Sequence, residues 1–180
     1  DIDTGHIETS EEMVQFKSFF NEWFLRDTSR KVRNGKKTRA KEGKVMTIYP
    51  TYGYKKDPLD YNHYIIDQDI APIVKRIFMF ARKGKTPTEI SRILTKEKAL
   101  VPSEIVGNTH TRKSETRIGW NRNTVKRILQ NVTYLGWVSN GNTKKINYMS
   151  KKTMVMPKED RIIVKGMHTP IIDEETFNIV

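Results

Sequence analysis

Between residues 13 and 25, Met13, Phe16, Phe20, Trp23 and Phe24 recur at spacings of three and four, which predicts one apolar helix face. That face stops after Leu25. From Ser29 to Lys44 the one large apolar residue is Val32, while Arg30, Lys31, Arg33, Lys36, Lys37, Arg39, Lys41 and Lys44 stand against a single acid, Glu42. No proline interrupts the stretch, and Gly35 costs a helix interior only about 1 kcal/mol relative to Ala. The reading is one helix over residues 11–44 with two unlike halves, roughly 50 Å long at about 1.5 Å per residue. A helix end without an apolar stripe has no core to hold it. It frays, bridges domains in water, or lies on a polyanion, of which nucleic acid is the simplest. Ahead of it, residues 1–10 read as a loop, with Ser10 as N-cap and Glu11 and Glu12 in the first turn, where acids suit the helix dipole.

Residues 45–56 break the pattern. Pro50 and Gly53 end any helix, and Tyr49, Tyr52 and Tyr54 fall within six residues. Two readings stay open: an extended linker tracking a nucleic-acid groove with Lys55 and Lys56 on phosphates, or a linker that tucks its tyrosines into the next core. Residues 57–68 read as a turn and a short strand at Tyr64–Ile66. A helix over 69–83 carries Ile70, Ile73, Val74, Ile77, Phe78 and Ala81 on one stripe, with Pro72 in its first turn and Gly84 after its end. Thr86-Pro87-Thr88-Glu89 is a capping box that opens a helix over 87–98, with Ile90, Ile93 and Leu94 inward. Residues 103–119 show no periodicity and read as a polar loop. Asn121 then caps a helix over 122–131, with Val125, Ile128 and Leu129 inward. Leu135–Ser139 and Arg161–Lys165 read as strands, Asn140-Gly141 as a tight turn, and residues 142–160 as a basic loop. His168–Asp173 leads into a helix that starts at Asp173. The class is mainly α with a small β section, α+β.

Charge sharpens this. The chain of 180 residues carries a net +12, and the charge is blocked. Residues 1–28 are −5, 29–45 are +7, 108–131 are +5, 138–168 are +5, and the last twelve are −3. A uniformly solvated surface needs no such blocks; a polyanionic partner does. There is no cysteine, hence no disulfide, thiolate zinc site or thiol nucleophile within this chain. No apolar run approaches the roughly 20 residues of a membrane helix. An acidic start without an initiating Met reads as a piece excised from a longer protein.

Candidate chemistry favours a binder over a catalyst. His6, His63, His110 and His168 share no metal-ligand spacing, and His6, His110 and His168 are better read as capping or packing. Gly35, Gly43 and Gly53 are isolated rather than a phosphate loop, and Ser18, Ser29 and Ser91 have no activating base nearby in sequence. The helices over 87–98 and 122–131 read as a helix-turn-helix with an enlarged turn. The second would present Arg122, Asn123, Lys126, Arg127 and Gln130, which are types suited to base edges and phosphates; a solvated basic helix looks the same.

These residues also resemble a known family. Asn21-Glu22-Trp23-Phe24-Leu25-Arg26-Asp27-Thr28-Ser29-Arg30-Lys31-Val32-Arg33 is similar to the long connecting helix of large serine recombinases, the transposon-borne or phage-integrase type. Tyr52-Gly53-Tyr54, Ile73–Phe78, Thr88–Leu94, Trp120 with Thr124–Asn131, Tyr134-Leu135-Gly136 and His168–Asp173 follow in the order of that family's recombinase domain. The resemblance covers nearly the whole chain.

The resemblance implies a parent enzyme that cuts and rejoins DNA through a 5′-phosphoserine intermediate to integrate or excise a mobile element, in the bacterial cytoplasm. It divides the chain into the tail of a catalytic domain (1–10), the connecting helix (11–44), a linker (45–56), a DNA-binding recombinase domain (57–172) and a lead (173–180) toward a zinc-ribbon domain. This chain would then hold no catalytic residue and no metal; zinc belongs to the later domain. Phe16, Phe19, Phe20, Trp23 and Phe24 would make oligomer contacts, in a dimer on each site and a tetramer in synapsis. Arg30, Lys31, Arg33, Lys36, Lys37, Arg39, Lys41, Lys44 and Tyr52 would contact double-stranded DNA along the minor groove, and Arg122, Asn123, Lys126 and Arg127 in the adjacent major groove. Alone, the chain would bind DNA without cutting it. The rivals are a stand-alone helix-turn-helix transcriptional regulator dimerising through residues 13–25, and a basic RNA-associated protein. The second lacks a strand-borne aromatic stacking platform.

Overall fold

A computed structural model describes residues 5–105, 119–147 and 149–180, with side chains from residue 11 onward. Its first element, α1, runs Gly5–Lys41 over 37 residues, roughly 55 Å at 1.5 Å per residue. The expected loop over 1–10 is corrected for residues 5–10, which are already helical with Ser10 inside the helix; residues 1–4 lie outside the described residues. The reason is local. No proline falls before residue 50, and Glu8, Glu11 and Glu12 near the start favour the dipole, so a serine alone does not stop the helix. The far end comes slightly earlier than the expected residue 44. Gly43 adopts φ of 72°, its N–H bonds to Ala40 O at 3.1 Å, and Lys44 N–H reaches back to Arg39 O at 3.1 Å. That pair of bonds is the Schellman cap, which glycine enters without steric cost.

The body is built on helices that pack through the stripes read from the sequence. They are α2 (Ala71–Arg82), α3 (Pro87–Lys96) and α5 (Arg122–Leu129), with a single turn, α4 (Pro102–Ile105), between the last two. Val74, Ile77, Phe78, Ile90, Leu94 and Val125 are fully buried, each worth about 1.5–3 kcal/mol for its side chain. The capping box at Thr86 forms in both directions: Thr86 Oγ1 accepts from Glu89 N–H at 3.3 Å and Glu89 Oε2 accepts from Thr86 N–H at 2.7 Å. The α3 helix stops at residue 96 rather than 98 because Lys98 turns left-handed, φ 54°. Part of the polar stretch over 103–119 is helical, as α4; residues 106–118 lie outside the described residues.

The strands form small antiparallel pairs. β1 (Tyr54–Lys56) pairs with β2 (Tyr64–Ile66), Lys55 opposite Ile65. β3 (Val138–Asn140) pairs with the distant β6 (Ile162–Val164), Ser139 opposite Ile163. Between them, β4 (Thr143–Lys145) and β5 (Thr153–Val155) form a hairpin, Lys144 opposite Met154. Two expectations are corrected here. The strand read over 135–139 begins later, because Val132–Leu135 closes a 3-10 turn capped by Asn131. Within the stretch 142–160, read as a loop, Thr143–Lys145 and Thr153–Val155 form the hairpin and Lys158–Asp160 a 3-10 turn. The chain ends in α6 (Glu174–Ile179), capped by Asp173 as read: its Oδ1 accepts from Thr176 N–H at 2.7 Å.

A tyrosine clasp ties the linker to the end of the domain. Tyr54 is 3 % exposed. Its hydroxyl donates to Thr169 O at 3.0 Å and accepts from Ile171 N–H at 3.1 Å. Tyr134 donates to Tyr52 O at 2.9 Å, and its own carbonyl accepts from Ile171 and Ile172 N–H at 3.0 and 3.1 Å. The Tyr54 ring stacks between Tyr64 and Tyr134, and His168 stands edge-on to it at 4.8 Å. Two family-like segments, Tyr134-Leu135-Gly136 and His168–Asp173, are therefore halves of one packed seam. Gly136 makes the seam possible: at φ 79° a Cβ would collide with the carbonyl of His168.

This setting disfavours the charged form of His168. Burial pushes its pKa below the ordinary 6.5, against an opposing hydrogen bond to Thr133 O. Its Nε2 donates to that carbonyl at 2.9 Å, while the buried Nδ1 has no partner among the described residues.

Two outcomes follow for stability. Gly136→Ala should lower urea-denaturation stability by about 1–3 kcal/mol from left-handed strain alone, with the collision adding to it. Because the unfolded chain binds a proton on His168 near pH 6.5 and the folded chain binds it only at lower pH, the stability that depends on neutral His168 is full above pH 6.5 and is lost as pH falls from there through the lower folded pKa. His168→Gln keeps an N–H donor and should flatten the loss of melting temperature between about pH 7 and pH 5 relative to wild type.

Candidate nucleic-acid interface

The basic half of α1 sorts by what each cation already holds. Arg30 and Lys31 converge on Asp27 at 2.7 and 2.8 Å. The hydrogen bond from Lys31, then that from Arg30, holds the Asp27 carboxyl below its ordinary range. Arg33 donates to Ser29 O at 3.3 Å, Arg39 to Asn62 Oδ1 at 3.2 Å, and Lys44 pairs with Glu42 at 2.7 Å. Lys36, Lys37 and Lys41 are exposed and have no carboxylate partner among the described residues. Surface pairs of this kind are weak and screened by solvent, so a polyanion can take over the paired cations at little cost. Arg30, Arg33, Lys37 and Lys41 recur at three and four residues and so share one stripe of the helix.

The other half of α1 carries an apolar face that no described residue covers. Phe16, Phe20, Trp23 and Phe24 are 66, 52, 54 and 57 % exposed. Contiguous exposed apolar patches of this kind mark protein, membrane or ligand contact surfaces.

The second basic element is α5. Asn121 caps it, its Oδ1 accepting from Asn123 N–H at 2.8 Å. Trp120 anchors the entry: its backbone N–H donates to Thr95 Oγ1 at 2.9 Å and its indole N–H to Ala99 O at 3.1 Å. With Val125 and Ile128 buried against the body, Arg122, Asn123, Lys126, Arg127 and Gln130 are exposed together. This is the sequence-derived arrangement of α3 and α5, with the exposed face of the second helix free of acids.

The linker runs beside α5. A depression of about 550 Å³ lies between Thr47, Tyr49, Thr51 and Tyr52 on one side and Asn121, Thr124 and Arg127 on the other. A second, of about 530 Å³, is lined by Thr47, Thr51, Arg127 and Gln130 together with Asn140, Asn142, Lys158 and Arg161. Thr47, Thr51 and Arg127 border both, so Arg127 stands on the ridge between them. A third, of about 750 Å³, lies on the far side of α5 between Arg122, Lys126 and the first turn of α3. Sequence reasoning does not single out Lys158 and Arg161; the signal that contains them is the positive block over 138–168.

The tyrosines of the linker divide. Tyr52 turns inward: its hydroxyl donates to Leu100 O at 2.6 Å and its ring meets Trp120 edge-on at 5.5 Å. Burial, then the nearby Glu104 and Asp67 carboxylates, push its hydroxyl pKa up. Tyr54 is in the clasp, and Tyr49 alone of the three is exposed, at 58 %. The core reading therefore holds for Tyr52 and Tyr54, although Tyr52 also edges the first depression. Among the described residues no three of His, Asp and Glu come together as a metal site, and no helix is long and apolar enough to cross a membrane.

Solved structures share this fold. A chain in the crystal structure of an LSR–DNA complex superposes with a TM-score of 0.53 at 21 % identity, covering 82 % of this chain and 35 % of that one. A chain from a structure on the sequence requirements of the Listeria innocua prophage attP site gives a TM-score of 0.50 at 21 % identity, covering 82 % of this chain and 48 % of that one. This chain thus spans between a third and a half of those proteins and shares their fold. The Recombinase family profile matches residues 68–180, from the approach to α2 through α6. The chain belongs to the Recombinase family.

Proposed function

We propose that this chain is the DNA-binding portion of a large serine recombinase, a parent enzyme that exchanges DNA strands through a 5′-phosphoserine intermediate. The observation that carries the reading is the joint placement of Arg127, the linker and the acid-free exposed face of α5 around shared depressions. Phosphate contacts come first from Lys36, Lys37 and Lys41, with Arg30, Lys31 and Arg33 exchanging their intrachain partners for phosphate. These contacts position the chain without specifying sequence. Base readout falls to Arg122, Asn123, Lys126 and Arg127, with Gln130 beside them; Arg suits guanine and Asn or Gln suits adenine. The likeness to a protein described in complex with DNA supports the same partner.

Phe16, Phe20, Trp23 and Phe24 serve self-association in the parent. A stand-alone regulator would use the same face and would bind a short palindrome as a preformed dimer. Sedimentation of the chain without DNA separates the two readings.

The direct test is fluorescence anisotropy of a labelled mixed-sequence duplex across a salt series. Log affinity should fall linearly with log salt. Lys36→Ala, Lys37→Ala and Lys41→Ala combined should lower the slope by roughly 0.9 for each phosphate left without its lysine. A slope equal to wild type in the triple variant would remove α1 from the interface.

A further inference from the structure

The β4–β5 hairpin has no evident structural reason to exist on its own. Every residue of both strands is exposed, Thr143–Lys145 and Thr153–Val155 alike. A two-stranded ribbon that buries nothing is at best marginally stable in water. Yet it is carefully built. Ile146 N–H bonds to Lys152 O at 3.3 Å and Met156 N–H to Asn142 O at 2.9 Å. Asn147 Oδ1 accepts from the N–H groups of Met149 and Ser150 at 3.1 and 2.6 Å.

Its chemistry is one-sided. Residues 142–157 contain Lys144, Lys145, Lys151 and Lys152 and no acid, and none of the four lysines pairs with a carboxylate among the described residues. The register distributes charge over both faces. Lys145 shares a face with Thr143, Thr153 and Val155, whereas Lys144 shares the other with Met154. A ribbon meant to pack on a protein would keep one face apolar. One with lysine on both faces fits between two negative walls.

Its position is continuous with the interface above. Asn142, where the hairpin leaves β3, lines the same depression as Arg127 and Gln130 of α5. The major groove is about 12 Å wide and admits a two-stranded ribbon as it admits a helix.

We propose that the β4–β5 hairpin is a second DNA-contacting element, a basic β-ribbon whose Lys144, Lys145 and Lys152 hold phosphates flanking the bases that α5 reads. This rests on the DNA-binding reading of α5 and adds a contact surface to it. The apolar Met154 and Val155, 50 and 72 % exposed, are placed among these lysines where thymine methyl groups offer apolar contact.

The test uses the whole chain and the same labelled mixed-sequence duplex. Lys144→Ala, Lys145→Ala and Lys152→Ala combined are compared with a charge-matched control, Lys75→Ala, Lys83→Ala and Lys96→Ala, on the exposed faces and ends of α2 and α3. The hairpin variant should keep the wild-type melting temperature, and its salt slope should fall by roughly 0.9 for each phosphate that no longer meets a lysine. The control should keep the wild-type slope. An equal fall in both variants would mean net charge alone is at work, and an unchanged slope in the hairpin variant would mean the ribbon touches no phosphate; either overturns the proposal while leaving DNA binding by α5 intact. Absence of salt-dependent binding by the wild type would instead bring down the DNA-binding reading, and this inference with it.

Discussion

The hydroxyl of Tyr54 is the point on which the arrangement turns. It is buried, it donates to Thr169 O and accepts from Ile171 N–H, and so it joins the first strand after the linker to the last segment before α6. Tyr134 closes the same seam from the other side through Tyr52 O. Because buried hydroxyls and amides are costly to leave unpaired, about 1–3 kcal/mol each, this seam resists sliding by even one residue. The linker is then fixed at both ends. At its start, Val45 N–H bonds to Asn62 O at 2.9 Å and Asn140 Nδ2 donates to Lys44 O at 3.0 Å. What remains between these anchors, residues 46–51, is the stretch that borders Arg127. The clasp thus turns a connecting segment into one wall of an interface.

The two halves of α1 follow from opposite physical demands. The Schellman cap at Gly43 and the buried Ala40 pin its C-terminal end to the body. From there the helix leads away through a basic stretch to an apolar one. Among the described residues neither half has a core to lie on. The basic half has partly neutralised itself through Asp27, a weak and exchangeable arrangement, while the apolar half leaves large aromatic rings in water. The helix therefore carries two surfaces of unlike chemistry on one rigid element, and the body fixes where its C-terminal end begins.

Much of this is legible in the sequence because it is local. The capping box at Thr86, the cap at Asn121, the cap at Asp173 and the stripe over Ile73, Val74, Ile77 and Phe78 are written in residues two to four apart. The exposed face of α5 follows from the same periodicity. What is not legible is long-range or conditional. The start of α1 depends on the absence of a stop signal rather than on the presence of Ser10. The β3–β6 pairing spans an inserted hairpin, which no local pattern announces. Whether Tyr52 and Tyr54 face a ligand or a core depends on Leu100, Trp120 and Thr169, residues 48 to 115 positions away along the chain. The grouping of Lys158 and Arg161 with α5 is likewise a product of tertiary packing.

The central claim is that the linker and α5 form one surface that engages duplex DNA together with the basic half of α1. Amide hydrogen exchange of the chain with and without a duplex measures this most directly. The account predicts slowed exchange on DNA in α5, in residues 46–51 and around Lys36–Lys41, all over the same range of DNA concentration. Slowing confined to the basic half of α1, with α5 and the linker unchanged, would contradict it and reduce the helix to a charged tether.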